Sequence, residues 1–151
     1  MPALPIVTGE DQKILHVKTK PVPAVTKEIL QLLQDMYTTT VVAKGAGIAA
    51  PQVGRTERVC IAMIDKKLVA LINPVITWRS EEMETAEEGC LSLPDVWLHI
   101  RRPRDIIVKY TDVKNKPREL KLTDFNARVV QHEVDHLEGI LITDHKKESI
   151  L

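Results

Sequence analysis

The chain has 151 residues, 44% of them hydrophobic, which suits one hydrophobic core, so we expect a single domain over residues 1–151. Its 21 basic and 21 acidic side chains cancel, so the overall charge points neither to nucleic acid nor to a membrane surface as a partner. Because no apolar run is long enough to span a bilayer and residues 1–7 lack a signal-peptide pattern, we expect a cytoplasmic protein, with an organellar matrix as the alternative.

The N-terminal part is predicted to be irregular chain followed by one helix. Four prolines interrupt residues 1–25, so this segment is expected to follow the surface. Between Thr26 and Val42, apolar residues recur at i, i+3, i+4, i+7 and i+8, which predicts an amphipathic helix with Met36 and Tyr37 in its buried stripe. The small-residue run 45–54 is predicted to be a flexible turn, because its G-x-G opens no helix.

The middle of the chain is predicted to form a sheet. Short segments rich in valine and isoleucine alternate with turn formers at 65–67, 73–74 and 114–117. The acidic run 81–88 is predicted to be a solvated loop. Strands followed by a helix indicate an α+β fold of mostly antiparallel sheets packed around a C-terminal metal-binding helix, plus one N-terminal amphipathic helix. The predicted strands are Arg58 to Ile64, Leu68 to Ile72, Val75 to Trp78, Ile106 to Tyr110 and Arg118 to Leu122.

A histidine pair marks the C-terminal helix. His132 and His136 are four positions apart, so on a helix both side chains point the same way and can hold one metal ion. Glu133 is close enough to handle protons on a metal-bound water. Apolar residues at helical spacing place this motif on a helix with predicted caps, Thr123 or Asp124 at its start and Gly139 at its end.

The spacing of residues in the sequence does not identify the third ligand of such a metal site. A catalytic metal generally takes three protein ligands and leaves a fourth position for water. Spacing does not choose among Glu138, His99, His145 and Cys90. The other cysteine, Cys60, lies in an apolar run and is expected to be a small buried hydrophobe.

Charged residues near Cys90 suggest supporting roles. Glu88 is expected to orient or anchor a metal ligand. Arg102 is expected to form an ion pair with Glu88 or Asp135 and so to support the residues around the metal ligands. The helix near Arg128 is polar enough that we expect one of its sides to face water.

Three stretches together resemble a known family. They read G-A-G-I-A-A-P-Q at 45–52, E-G-C-L-S at 88–92 and Q-H-E-V-D-H at 131–136. Their order and separations resemble those of the three signature motifs of peptide deformylases, and residues 137–144 resemble the G-x-L-x-x-D tail of that family. The resemblance covers most of the chain.

The resemblance implies a metal centre and a general acid/base. Cys90, His132 and His136 would bind one divalent metal ion, Fe(II) in the native enzyme, with Zn(II), Ni(II) or Co(II) as alternatives in a purified sample. Glu133 would be the general acid/base. Two neutral imidazoles and one thiolate leave such an ion a net charge near +1, enough to lower the pKa of its water.

The resemblance also implies the substrate and its contacts. The substrate would be the N-formyl-methionyl end of a new polypeptide, hydrolysed to formate and a free amino terminus. Gln52 and the backbone N–H of Leu91 would form the oxyanion hole. Gly47, Ile48 and Gly89 would help hold the peptide.

The helix predicts part of a side-chain pocket. Phe125 and Val129 lie seven and three positions before His132 and share its face, which makes them expected walls for a methionine side chain. Both are also compatible with ordinary core positions.

Three other functions are compatible with these sequence features. The rivals are a zinc peptidase with a carboxylate as third ligand, a structural metal module with a closed coordination sphere, and a deformylase fold acting on another acylated amine.

Family members often carry a longer basic helical extension that in some of them docks on the ribosome. This chain stops fifteen residues after His136, with Lys146-Lys147 as the basic pair of that segment, so ribosome proximity is expected to be transient at most.

Overall fold

The computed structural model describes residues 3–149, and the side chains of residues 3–145. Five strands form one antiparallel sheet, and two more pair as a separate antiparallel hairpin. The predicted α+β architecture is confirmed. The elements are α1 (Lys27–Ala43), β1 (Gly47–Ala49), β2 (Val59–Ile64), β3 (Lys67–Arg79), β4 (Met83–Cys90), β5 (Leu93–Pro103), β6 (Asp105–Thr111), β7 (Pro117–Thr123), α2 (Asp124–Leu137) and α3 (Ile142–Ser149). The five-stranded sheet has the order β1-β2-β3-β6-β7, and the hairpin pairs β4 with β5.

Helix α1 forms as predicted, with one error in its buried stripe. Thr26 is the N-cap, and its hydroxyl accepts a hydrogen bond from the backbone N–H of Ile29 at 3.2 Å. Ile29 and Met36 are buried in a cluster with β1 and β2. Tyr37 is 43% exposed, because at about 100° per residue it lies roughly 80° around the helix from Ile29, beyond the edge of the stripe.

Strand β3 corrects the prediction of a turn at residues 73–74. The strand continues through this point, and its register with β6 shifts between Ile72 and Val75. Asn73 adopts a φ of 53°, and its side chain exchanges two hydrogen bonds with the backbone of Val22, at 2.7 and 2.8 Å. The turn formers therefore produce a bulge, because Arg58 satisfies the local backbone: its carbonyl accepts from the N–H of Asn73, and its guanidinium donates to the carbonyl of Pro74.

The acidic run 81–88 is mostly strand, contrary to the predicted loop. Residues from Met83 onward pair with β5, so that Glu87 opposes His99 and Glu88 opposes Leu98. Glu87 is exposed and Glu88 is buried, as the alternation of a strand requires. The high density of acidic residues suggested a loop and did not reveal this alternation, because the partners of the buried Glu88 carboxylate lie elsewhere in the chain.

The small-residue run 45–54 is not a flexible turn, since residues 47–52 are buried in a short strand and the start of a 3-10 helix. Gly47 and Ala49 pair with Ala62 and Cys60 of β2, respectively. A 3-10 helix, Ala50–Val53, follows at once and buries Gln52 at 2% exposure. The buried position of Cys60 in β2 agrees with the interpretation of this residue as a small hydrophobe.

Helix α2 packs through the apolar stripe that the spacing predicted. Ala127 and Leu137 are fully buried against residues of the sheet. The helix ends where expected, and Gly139 follows with a φ of 77°. Thr123 occupies the N-cap position, but its side chain makes no capping hydrogen bond and its hydroxyl donates to Asp105 instead.

Helix α3 was not predicted. Its start packs Leu141 and Ile142 against Leu93 and Ile100 of β5. The side chains of the basic pair at 146–147 lie outside those that the structure describes. None of the helices within residues 3–149 combines the length and the apolar content that a bilayer-spanning helix requires.

Candidate metal centre and active site

The histidine pair lies on the side of α2 that turns away from the sheet. The Nε2 atoms of His132 and His136 are 3.2 Å apart, and their ring centroids are separated by 5.0 Å. His136 is 1% exposed and Glu133 is 4% exposed. Because the apolar stripe holds the opposite side of the helix on the sheet, both imidazoles project toward the hairpin of β4 and β5.

Cys90, the last residue of β4, completes a three-ligand cluster. Its Sγ lies 3.3 Å from Nε2 of His136, and the sulfur and both ring nitrogens lie within 4.8 Å of one another. Ligands bound about 2.0 to 2.3 Å from a tetrahedral ion are about 3.4 Å apart. The three atoms therefore fit around one metal ion, and the thiolate, imidazole, imidazole set suits a divalent transition metal.

The structure separates Cys90 from the other candidate third ligands. Glu138 pairs with Arg58, and His145 pairs with Asp135 at 2.8 Å. His99 is exposed on β5. Among residues 3–149, only Cys90 joins the two histidines in a group of metal-ligating side chains.

Glu88 holds the ring of His132. Its Oε1 lies 2.9 Å from Nδ1 of His132, which leaves Nε2 directed at the metal site. Arg102 binds the same carboxylate through two nitrogens, at 2.6 and 2.9 Å. Burial would raise the pKa of Glu88, but the hydrogen bonds from His132 and Arg102 outweigh it and hold this pKa well below its usual range.

Asp135 extends this network to α3. Its Oδ2 accepts from Arg102 at 2.8 Å and lies 2.8 Å from Nε2 of His145. Arg102 is 3% exposed, so its charge is neutralised by Glu88 and Asp135 together. The structure thus joins Glu88, Arg102 and Asp135, the three residues for which the sequence suggested supporting roles.

The two histidines have opposite pKa shifts. For His132, burial opposes the charged form, yet hydrogen bonds to Cys90 and Glu88 raise its pKa to about 10. For His136, burial and the adjacent charge of His132 lower the pKa well below its usual value. Protons and a metal ion compete for the same ring nitrogens, so metal binding releases the proton of His132.

Glu133 faces the metal site without being one of the three clustered ligands. Its Oε1 is buried and has no hydrogen-bond partner among the described residues. Burial is the main cause that raises the pKa of this carboxyl to about 7. A carboxyl group whose pKa lies near neutrality is suited to accept and return a proton.

Gln52 is held so that its amide nitrogen points at the cluster. Its Oε1 accepts a hydrogen bond from the backbone N–H of Ala49 at 3.0 Å. Its Nε2 donates to the hydroxyl of Ser92 at 3.1 Å and lies 3.8 Å from Sγ of Cys90. Because the oxygen is occupied by backbone, the donor side of the amide faces the site.

A cavity of about 390 Å³ opens beside these groups. Phe125, 57% exposed, stands at its rim, whereas Val129 is 6% exposed. Ile48, which the resemblance implied as a substrate contact, is fully buried in the cluster under α1 and is not among the residues that line the cavity. The predicted site residues that line the cavity are Gly47, Gln52, Gly89, Cys90, Leu91, Phe125, Val129, His132, Glu133 and Glu88.

Three residues near the site were missed from the sequence. Arg128 is 8% exposed, whereas Phe125 on the same helix is 57% exposed, so one side of the helix faces water as expected but the side chain of Arg128 does not lie on it. Its position four residues before His132 was the available signal, because residues i and i+4 share one helix face. Ser92 and Trp97 carried no such signal, since their contacts with Gln52 and Gly89 depend on tertiary packing.

Comparisons of the sequence with known proteins agree on one family. Residues 3–149 match the family model described as polypeptide deformylase. Peptide deformylase 1 of Rickettsia conorii is 42% identical over 155 residues, covering 96% of this chain and 88% of that protein. Peptide deformylase of Pseudothermotoga lettingae is 41% identical over 131 residues, covering 87% of this chain and 76% of that protein.

Solved structures of the same enzyme share the fold. The peptide deformylase of Thermotoga maritima superposes with a TM-score of 0.92 at 37% identity, covering 96% of this chain and 98% of that one. The Met-Ala-Ser-bound class I type b peptide deformylase of Acinetobacter baumannii superposes with a TM-score of 0.91 at 36% identity, covering 95% of this chain and 98% of that one.

Proposed function

The chain belongs to the polypeptide deformylase family, and from this premise we propose that it is a metal-dependent hydrolase acting on N-terminal formyl-methionine of newly made polypeptides. The reaction adds water across the formyl amide, releasing formate and a free amino terminus. We further propose that the enzyme works in the cytoplasm or an organellar matrix, close to translating ribosomes and without binding nucleic acid or membrane.

One observation carries the proposal. The metal-ligand cluster of Cys90, His132 and His136, the unpartnered carboxylate oxygen of Glu133 and the amide of Gln52 meet at one cavity or at its floor. A Lewis-acid site, a proton-transfer group and a neutral hydrogen-bond donor are the parts that amide hydrolysis needs. A structural metal site requires neither the proton-transfer group nor the neutral hydrogen-bond donor.

The proposed metal ligands are Cys90, His132 and His136, with Fe(II) as the native ion and Zn(II), Ni(II) or Co(II) as substitutes. When bound, such an ion lowers the pKa of a coordinated water and polarises the formyl oxygen. Glu88 fixes the tautomer of His132 by accepting from Nδ1.

Glu133 is the proposed proton carrier. Its buried carboxylate accepts a proton from the attacking water and returns it to the departing amine. The absence of a hydrogen-bond partner for Oε1 within the described part of the chain leaves that oxygen available for this transfer. Burial raises the pKa of this carboxyl toward neutrality, which makes Glu133 a stronger base toward the attacking water than an exposed carboxylate would be.

Gln52 and the backbone N–H of Leu91 are proposed to stabilise the oxyanion. The amide of Gln52 is oriented by Ala49 before substrate arrives, so its donor side already faces the site when the reaction begins. Preorganised donors of this kind each lower a barrier by about 3 to 4 kcal/mol.

The methionine side chain is proposed to lie against Phe125 and Val129, with the backbone of Gly47, Ile48 and Gly89 alongside the peptide. Both apolar side chains line the cavity beside His132. An unbranched thioether fits such a wall because it is flexible and polarizable.

Formate release from formyl-Met-Ala-Ser tests the function, with metal analysis of the same sample. We expect one formate and one free amino terminus for each formyl-Met-Ala-Ser hydrolysed, and no free amino terminus from acetyl-Met-Ala-Ser. Formate-free cleavage of an internal peptide bond would instead indicate the zinc peptidase. Release of the free amino terminus from the acetylated peptide at a comparable rate would indicate a broader acyl-amine hydrolase. A metal-loaded protein that hydrolyses neither peptide, at its acyl group or at an internal bond, would indicate a structural site.

Gly47→Ala is expected to lower kcat for formate release by roughly 100-fold, because small displacements of reacting groups have effects of this order. A Cβ at this position would lie 2.7 Å from Oε2 of Glu133 and 2.6 Å from the carbonyl oxygen of Ile61, so Glu133 must move. Metal content and melting temperature, measured alongside, separate this displacement from unfolding. Wild-type kcat in a folded, metal-loaded variant would contradict it.

Fe(II)-loaded protein is expected to lose activity in air at least several times faster than Ni(II)-loaded protein. A thiolate beside a redox-active ion is open to oxidation, whereas Ni(II) does not undergo that oxidation readily. Activity half-lives in air and under argon measure the effect. Equal half-lives of the two forms in air would count against iron as the native metal.

A further inference from the structure

We propose that Arg128 is a positioning residue for the metal centre: together with Arg102 it clamps Glu88, and Glu88 in turn sets the ring of His132. The inference rests on the proposed ligand set but not on the proposed substrate. Arg128 lies outside the three stretches that resemble the family motifs.

The contacts of Arg128 are those of a buried crosslink. Its Nη1 donates to Oε2 of Glu88 at 2.6 Å and to the backbone carbonyl of Ile100 at 2.9 Å. Its Nη2 donates to the backbone carbonyl of Glu84 at 2.7 Å. A guanidinium that is 8% exposed and bound to one carboxylate and two carbonyls has a single stable orientation.

Arg128 also completes the hydrogen bonding of Glu88. Oε1 faces Arg102 and Nδ1 of His132, and Oε2 faces Arg102 and Arg128. A carboxylate offers about four acceptor positions, so the four donors saturate it. Without Arg128, Oε2 keeps one donor and the carboxylate is held only by Arg102 and His132, which loosens its hold on His132.

The same side chain ties together the two elements that supply the metal ligands. His132 and His136 lie on α2, whereas Cys90 ends β4. Arg128 leaves α2 and reaches the backbone of both β4, at Glu84, and β5, at Ile100. The spacing between the thiolate and the imidazoles therefore depends on this side chain.

Charge and geometry predict opposite effects of removing Arg128. Loss of a positive charge near the site would, by Coulomb attraction alone, strengthen the binding of a cation. Loss of a positioning contact would weaken it, typically by 10- to 100-fold when a partner of a metal ligand is removed. A lower metal Kd after removal of Arg128 would therefore indicate a purely electrostatic effect, and a higher Kd would indicate a positioning role.

The test measures metal affinity of the full chain without any substrate. Apo protein is titrated with Co(II) and Zn(II) against a competing chelator, and the visible spectrum of the Co(II) form reports the ligand geometry. We expect Arg128→Met to raise the Kd by 10- to 100-fold and to change the Co(II) spectrum. Arg128→Lys should fall between this variant and wild type, because an ammonium cannot reach all three acceptors.

Arg101→Met is the matched control, since Arg101 is exposed on β5 beside Arg102, and its Kd should stay within twofold of wild type. An unchanged or lower Kd for both Arg128 variants would overturn the proposal. If Arg128→Met fails to fold by circular dichroism, Arg128→Lys decides alone, with wild-type affinity as the overturning result. Because no peptide is used, a failure here is distinguishable from a wrong substrate.

Discussion

Glu133→Ala is expected to lower kcat for formate release by about 10²- to 10⁴-fold, the range typical of losing a general acid/base, while the protein keeps its metal. The reason lies in the geometry: the carboxylate is buried beside the clustered ligands but is not one of them. Steady-state kinetics on formyl-Met-Ala-Ser, with metal analysis of the same preparation, measures both effects.

Glu119→Ala is a suitable control for the loss of a carboxylate, because Glu119 is exposed on β7 and should leave kcat unchanged. Full turnover in Glu133→Ala would rule out the proton-transfer role. Loss of metal from that variant would instead indicate that Glu133 is itself a metal ligand.

Cys90→Ala is expected to weaken metal binding by more than the roughly 100-fold that follows from losing a partner of a ligand, and activity should fall with metal content. The variant removes one of three ligand atoms that lie within 4.8 Å of one another. Competition with a chelator gives the affinity, and formate release at saturating metal shows whether activity returns.

Cys60→Ala is the matched control, since Cys60 is the second of the two cysteines and is buried in β2. We expect this variant to lose some thermal stability but to bind metal normally. Cys90→Ser with wild-type metal content and intact cleavage of internal peptide bonds would favour the rival zinc peptidase.

The sequence alone determined the features that depend on local periodicity. The apolar stripe of α1 and the four-residue spacing of His132 and His136 both follow from the geometry of a helix, and both are present in the structure. The α+β class followed in the same way, from short β-branched segments and a late helix. Tyr37 marks the limit of this reasoning, because periodicity places a side chain around an axis but does not show how wide the buried side is.

The tertiary structure alone decided what depends on distant partners. Four candidates for the third ligand were equivalent by spacing; the family resemblance implied Cys90, and the approach of β4 to α2 places its sulfur beside the two histidines. The acidic run became a strand and Arg128 became buried because Glu88, Ile100 and Glu84 supply partners far along the chain. The hydrogen bonds and charge pairs that make a buried carboxylate or guanidinium stable are set by contacts in space, and a linear pattern does not contain them.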